Sequence, residues 1–253
     1  MISSNQLKYY SSLLYKKYRN EENKFIIEGK KIILEGINSS FKCEVILTTN
    51  RFIENNRDFF NKIDSGSNRV EVIKDSDLKK ISDTVNPQGI TAVFLKGDRK
   101  SANVSFESNS IVYLDNISEP GNLGTIIRNC DWFGIPEIIL SPDCAELFSP
   151  KTIRASMGSL FHLNIIENTS LKSLYKRIKE KGYKVLCADT KGINIFKFNA
   201  SSKIIVIFSN EAKGPSDEIL KLSDEIITVP KIGGAESLNV ASASAIILAK
   251  LTN

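Results

Sequence analysis

Ile111-Val112-Tyr113-Leu114-Asp115-Asn116-Ile117-Ser118-Glu119-Pro120-Gly121-Asn122-Leu123-Gly124-Thr125-Ile126-Ile127-Arg128-Asn129-Cys130 reads as a strand, a turn and a helix in succession. Four consecutive apolar residues without alternation describe a strand buried on both faces. Asn, Ser, Pro and Gly then cluster, and a helix is predicted from Leu123 to Phe133, closed by Gly134 at its C′ position. Asn122 falls at the expected helix start, where its amide can cap the helix or hold a ligand. A unit of this kind belongs to a mostly parallel sheet, whose ligands bind beyond the carboxyl ends of the strands. Read alone, the segment is as easily a capped loop followed by one surface arginine, Arg128.

The pattern repeats outward. Ile138–Leu140, Phe161–Ile166, Lys184–Ala188, Ile204–Phe208 and Ile226–Val229 are strand-like, and Leu171–Lys181 and Asn239–Leu251 are helical. Toward the N-terminus, helices are expected over Gln6–Arg19, Lys30–Gly36 and Ile53–Ile63, with one capped by Asp75-Ser76-Asp77 and running to Ile81. Phe25–Ile27, Val45–Leu47, Val70–Ile73 and Thr91–Leu95 are the strand candidates there. The expected layout is α/β throughout: a small α/β domain over residues 1–96, a polar linker over 97–109, and a larger parallel-sheet domain over 110–253.

The chain has 253 residues, of which 42% are hydrophobic and 25% charged, a composition typical of soluble globular proteins. No run approaches the roughly 18–20 apolar residues that span a bilayer, and the first residues lack the pattern of a secretory signal, so a cytoplasmic protein without membrane attachment is expected. Cys43, Cys130, Cys144 and Cys187 form no C-x-x-C pair, and His162 is the one histidine. No metal site is expected from that inventory. His162 itself reads as a packed strand residue beside Phe161. Residues 1–105 carry 18 Lys/Arg against 13 Asp/Glu, whereas residues 106–253 carry 16 of each. The excess positive charge therefore lies in the first part of the chain, which suits a phosphate-rich partner or simply a solvated lysine-rich surface.

Two further clusters follow strands. Ser209-Asn210-Glu211-Ala212-Lys213-Gly214 places a carboxylate after a buried strand. Pro230-Lys231-Ile232-Gly233-Gly234-Ala235-Glu236-Ser237-Leu238-Asn239-Val240 runs a glycine-rich loop into a helix of small residues, where free N–H groups can receive a polar ligand. Neither a phosphate-binding loop nor a G-x-G-x-x-G dinucleotide fingerprint is present, which disfavours a nucleotide-dependent oxidoreductase.

Taken in order, the three clusters resemble the three motifs of the SpoU (TrmH) family of RNA methyltransferases. Asn116, Pro120, Asn122, Gly124 and Arg128 fit the first, Glu211 and Gly214 the second, and Pro230, Gly233, Ser237, Leu238, Asn239 and Val240 the third. Arg154-Ala155-Ser156-Met157-Gly158-Ser159 is a further family-like stretch. Phe25-Ile26-Ile27-Glu28-Gly29-Lys30 and Pro87-Gln88-Gly89-Ile90 resemble the N-terminal RNA substrate-binding domain of two-domain members. Two positions depart from the pattern: Ser209 stands where the second motif usually has Gly, and Lys231 where the third often has Met.

The resemblance implies a SPOUT-type parallel sheet closed by a trefoil knot, S-adenosyl-L-methionine as cofactor, a homodimer, and methylation of a ribose 2′-hydroxyl in RNA. Ribosomal RNA, most often of the large subunit, is the substrate expected of two-domain members; transfer RNA is the alternative. A catalytically silent RNA-binding relative and a methyltransferase acting on a base nitrogen are the other readings. By position, Ser209, Val229 and Leu238 would meet the cofactor, with Asn210 and Thr190 beside them. Arg128 matches the arginine held to activate the hydroxyl, and Asn122, Glu211, Ser237 and Asn239 would shape the reaction site. A guanidinium stays protonated in proteins, so Arg128 is better suited to holding a phosphate and stabilising a developing alkoxide than to acting as a base.

Overall fold

The computed structural model describes residues 2–63, 68–97, 103–199 and 203–252. Residues 98–102, inside the expected linker, lie outside that set. The chain divides into two compact units, one formed by residues 1–99 and 146–161, the other by 100–145 and 162–253.

The first unit holds a four-stranded sheet of β1 (Lys24–Glu28), β2 (Cys43–Thr48), β3 (Val70–Val72) and β4 (Ile90–Leu95), in the order β1-β4-β2-β3. Strand β4 is antiparallel to both neighbours, and β2 and β3 run parallel. Its helices are α1 (Ser4–Ser12), α2 (Lys16–Glu21), α3 (Lys30–Ile37), α4 (Asn50–Asn55), α5 (Arg57–Ile63), α6 (Asp75–Leu78) and α8 (Pro150–Ser156). Strand alternation sends Ile26, Val45, Leu47 and Val93 to one face, where they pack with Tyr10, Leu13 and Leu78. On the other face Phe25 stacks with Phe94 at 5.9 Å and meets Phe148 at 4.5 Å between ring centres.

The second unit is a six-stranded, all-parallel sheet of β5 (Ser110–Asp115), β6 (Glu137–Leu140), β7 (Asn164–Ile166), β8 (Lys184–Asn194), β9 (Ile204–Ser209) and β10 (Glu225–Thr228), in the order β10-β8-β9-β5-β6-β7. The helices are α7 (Pro120–Trp132), α9 (Leu171–Glu180), α10 (Asp217–Leu222) and α11 (Val240–Leu251). Ile111, Tyr113, Val185, Ile205 and Ile207 pack with Leu174 and Ile178 of α9 and Ile219 of α10 on one face. Helix α11 packs on β9 and α7. The parallel α/β architecture expected from the apolar runs is therefore the observed one. No helix among the described residues is long and apolar enough to cross a membrane.

Several boundaries differ from the sequence expectation. The helix expected over Gln6–Arg19 is two helices, because Ser11 and Ser12 donate their hydroxyls back to Lys8 O and Tyr9 O, and Tyr15 is extended. The Ile53–Ile63 helix likewise breaks at Asn56, whose amide donates to Phe52 O at 3.0 Å. Asp75 begins α6 instead of capping it, and α6 ends at Leu78. Phe161–Ile166 is not one strand: a 3-10 turn covers Ser159–Phe161 and β7 starts at Asn164. His162 is thus no packed strand residue; its half-exposed ring lies 2.9 Å from Asp131 Oδ2.

Tyr113 ties β5 to the start of α9. Its hydroxyl donates to Thr169 O at 3.2 Å and accepts the N–H of Leu171 at 3.0 Å, and burial pushes its pKa far up. Tyr113→Phe should lower the unfolding free energy by about 1–3 kcal/mol, since it strands a buried N–H; a denaturant titration with an unchanged midpoint would contradict that account of the helix start.

Candidate active site

All three polar clusters lie beyond carboxyl ends of strands of the larger sheet: the first after β5, the second after β9 and the third after β10. The first turn is built by Asn116, which takes the left-handed conformation (φ 53°) that asparagine tolerates. Its N–H donates to Ser141 Oγ at 2.9 Å. Helix α7 then begins earlier than expected, at Pro120, and its cap is Glu119, whose carboxylate accepts the N–H of Asn122 at 2.7 Å. Asn122 is therefore not the cap. Its side-chain amide is released to work elsewhere.

That amide reaches the second cluster. Asn122 Nδ2 donates to Glu211 Oε1 in a short hydrogen bond. Asn239 Nδ2, from the third cluster, donates to Asn122 Oδ1 at 3.1 Å and to the same Glu211 oxygen at 3.3 Å. Asn239 Oδ1 meanwhile accepts the N–H groups of Ala241 and Ser242, which caps α11. Farther along the helices, Asn129 of α7 donates to Ala241 O and Ser244 Oγ, both at 2.9 Å. Asn122 and Asn129 are seven residues apart and so share one face of α7. Neither Asn129 nor Glu119 stands out in sequence reasoning, although Glu followed by Pro at a helix start is a recognisable cap.

Beneath this knot of side chains lies a cleft of about 370 Å3. Its wall includes Thr190, Ser209, Asn210, Val229 and Leu238, together with Glu211 and Ser237. Asn210 is fixed in its loop: its amide donates to Asn116 O and Ser118 Oγ, and its oxygen accepts from Ala212 and Lys213 N–H. Ser209 is buried; its hydroxyl makes no hydrogen bond of good geometry among the described residues, but it lies beside the Asp115 carboxylate and favours its charged form. Burial raises that Asp115 carboxyl above the ordinary carboxylate range.

The roof is residues 230–238. They make no main-chain to main-chain hydrogen bond among the described residues, and Ile232 and Leu238 are exposed at 99% and 48%. The segment leaves β10 at the sheet edge and crosses back to Asn239, beside the loops of β5 and β9. A second irregularity brings Ala188, Asp189 and Thr190 to the cleft wall. Along β10 the partner of Ile226 is Cys187, but that of Ile227 is Ile193, so Ala188–Gly192 loops out of β8. Gly192 permits this: a Cβ there would come within 2.6 Å of Ile226 O.

Arg128 stands apart from this group. It lies on α7, six residues or about 9 Å along the axis from Asn122. It is exposed, makes no hydrogen bond or ion pair among the described residues, and does not line the cleft. The cysteines are not poised nucleophiles, since burial pushes the thiols of Cys43 and Cys187 up to about 11 and about 12 and that of Cys130 higher still.

A parallel sheet whose strand-end loops converge in this manner offers a small-molecule site at its carboxyl edge. A family model described as the SpoU rRNA methylase family matches residues 109–249, and one described as an MRM3-like substrate-binding domain matches residues 4–92. The chain belongs to the SpoU rRNA methylase family. It is 30% identical over 244 residues to RlmP of Bacillus subtilis, a 23S rRNA guanosine 2′-O-methyltransferase, covering 96% of this chain and 94% of that one. A TrmH-family structure from Porphyromonas gingivalis superposes with a TM-score of 0.86 at 30% identity, covering 99% and 98% of the two chains. An rRNA methyltransferase of Sinorhizobium meliloti, solved with S-adenosylmethionine bound, gives 0.82 at 25% identity over 99% of this chain and 95% of that one.

Two substitutions separate the site's internal bonds from its ligand contacts. Asn239→Ala should cost about 1–2 kcal/mol of stability through loss of the α11 cap. Ser209→Ala should change stability by less than about 1 kcal/mol, because the hydroxyl makes no hydrogen bond of good geometry among the described residues. Chemical denaturation without ligand checks both, and the reverse ranking would refute the assignment.

Proposed function

We propose that this protein transfers a methyl group from S-adenosyl-L-methionine to a ribose 2′-hydroxyl of ribosomal RNA, and specifically of the large subunit. One observation supports the reading: Asn122, Glu211 and Asn239, from segments that follow three different strands, bond to one another beside a cleft that Glu211 and Ser209 line. The cleft's residues suit the cofactor. Its volume lies within the roughly 300–1,000 Å3 range of small-molecule sites. Leu238 and Val229 offer apolar surface, and among the described residues the main chain of 230–238 makes no main-chain to main-chain hydrogen bond, which leaves its donors and acceptors for a ligand.

When bound, the cofactor supplies an electrophilic methyl group on a sulfonium. The chain's part is to align the ribose oxygen with that methyl group and to ease loss of the hydroxyl proton. Glu211, held by two amides, is a fixed acceptor at the cleft edge. Ser237, exposed in the roof loop, and Asn122 and Asn239 bound the space the ribose would enter. Arg128, exposed on α7 outside the cleft, is the positive group for the adjoining RNA phosphate and for charge on the attacking oxygen once RNA is seated beside it. Thr190 and Asn210 complete the cofactor's surroundings.

In the same reading, residues 1–96 grip RNA, 97–109 link, and 110–253 do the chemistry. The roof segment's return across the sheet is the place for the trefoil knot, and two copies pair as a homodimer in the cytoplasm. The positive excess of residues 1–105 supports RNA as the partner.

Arg128→Ala should lower methyl transfer to ribosomal RNA by about a hundredfold or more while S-adenosylmethionine binding, measured by calorimetry, stays at the wild-type level. Turnover at the wild-type rate would remove Arg128 from the reaction. RNA affinity should also fall steeply with added salt; affinity indifferent to salt would dismiss the basic N-terminal part as the RNA grip.

A further inference from the structure

The two N-terminal stretches that the chemistry leaves unused, Glu28-Gly29 and Pro87-Gln88-Gly89, meet in the smaller unit. A cleft of about 180 Å3 lies there, walled by Glu28 at the end of β1 and Gly29 just beyond it, Asn86 and Gln88 before β4, and Arg154 and the cap residue Met157 at the end of α8. Part of this wall is scaffold. The Glu28 carboxylate accepts from Ser82 Oγ at 2.5 Å, Thr84 Oγ1 at 2.9 Å and the Gln88 N–H at 3.0 Å, which pins the loop and leaves the carboxylate little capacity for a ligand. Gly29, at φ +103°, lets the Gln88 side chain lie close over the backbone; a Cβ would meet Gln88 Oε1 at 3.2 Å. Arg154 is held by Asp83 at 2.8 Å.

What remains is a set of unused groups around a fixed cavity. The side-chain amides of Asn86 and Gln88 are exposed and make no hydrogen bond among the described residues, and the same is true of the Lys31 ammonium. Ile32 and Met157 supply apolar surface. Two amides, each able to donate and accept, match the edge of a nucleobase; apolar surface and a planar guanidinium match its face; one free cation matches a phosphate. A base still stacked in a duplex could not enter. Resting on the RNA-modifying reading above, we infer that this cleft receives an unpaired nucleotide of the RNA substrate, with Asn86 and Gln88 on the base edge and Lys31 on the neighbouring phosphate.

The test uses the full chain and short mixed-sequence RNA, single-stranded or in a duplex, with affinity read by fluorescence anisotropy. The Asn86→Ala, Gln88→Ala double variant should bind the single strand about tenfold more weakly or worse. Lys31→Ala should weaken binding and flatten its salt dependence. Thermal unfolding and S-adenosylmethionine affinity should match the wild type, since these side chains support no internal bond and lie in the other unit. Single-strand affinity unchanged in the double variant, or a duplex competing as well as the single strand, would overturn the inference. Methyl transfer is scored separately: a protein that binds RNA as described here but methylates none counts against the proposed reaction and for the pocket.

Discussion

One oxygen of Glu211 accepts amide protons from Asn122 and from Asn239, and the carboxyl edge of the larger sheet is organised around that shared acceptor. One comes from the first turn of α7, one from the loop after β9 and one from the cap of α11, and no two of them are neighbours in sequence. A carboxylate with two amide donors is a charge-assisted arrangement, stronger than bonds between neutral groups. It holds the first turn of α7 against the loop after β9 and fixes the residue that caps α11. Among the described residues, 230–238 make no main-chain to main-chain hydrogen bond, and the segment runs directly into Asn239.

The smaller unit follows a related logic with a different outcome. There, too, a glutamate, Glu28, gathers donors and fixes a loop, but its partners are two hydroxyls and a main-chain N–H. The amides of that loop are left outward and unused, whereas those of the larger unit are consumed in holding the site together. A site that must hold a small cofactor in one pose needs internal bonds. A surface that reads another molecule's polar edges needs free ones.

Much of the architecture is legible in the sequence, for physical reasons that differ by element. Unbroken apolar runs such as Ile111–Leu114 and Ile204–Phe208 announce strands covered on both faces, and their alternation with helical stretches announces a parallel sheet. Helix limits are less legible. Ser11, Ser12 and Asn56 turn their side chains back on the main chain and break helices that periodicity would continue, and Glu119 takes the cap that the residue type of Asn122 suits. The composition of the three loops is plain in the sequence, but their meeting is not. It depends on β10 adding beside β8 and on residues 230–238 returning across the sheet, which are long-range pairings without a local signature. The Ala188–Gly192 excursion is equally hidden, as only the close approach of Ile226 O explains the glycine.

These loops are proposed to present a methyl donor to an RNA sugar. That proposal is tested most directly by incubating the full chain with methyl-labelled S-adenosylmethionine and separate pools of ribosomal and transfer RNA, then locating the label by nuclease digestion and mass spectrometry. The account predicts label in ribosomal RNA, on a ribose 2′-oxygen at a defined nucleotide. Label on a base, or none in either pool from a protein that binds the cofactor, would contradict it.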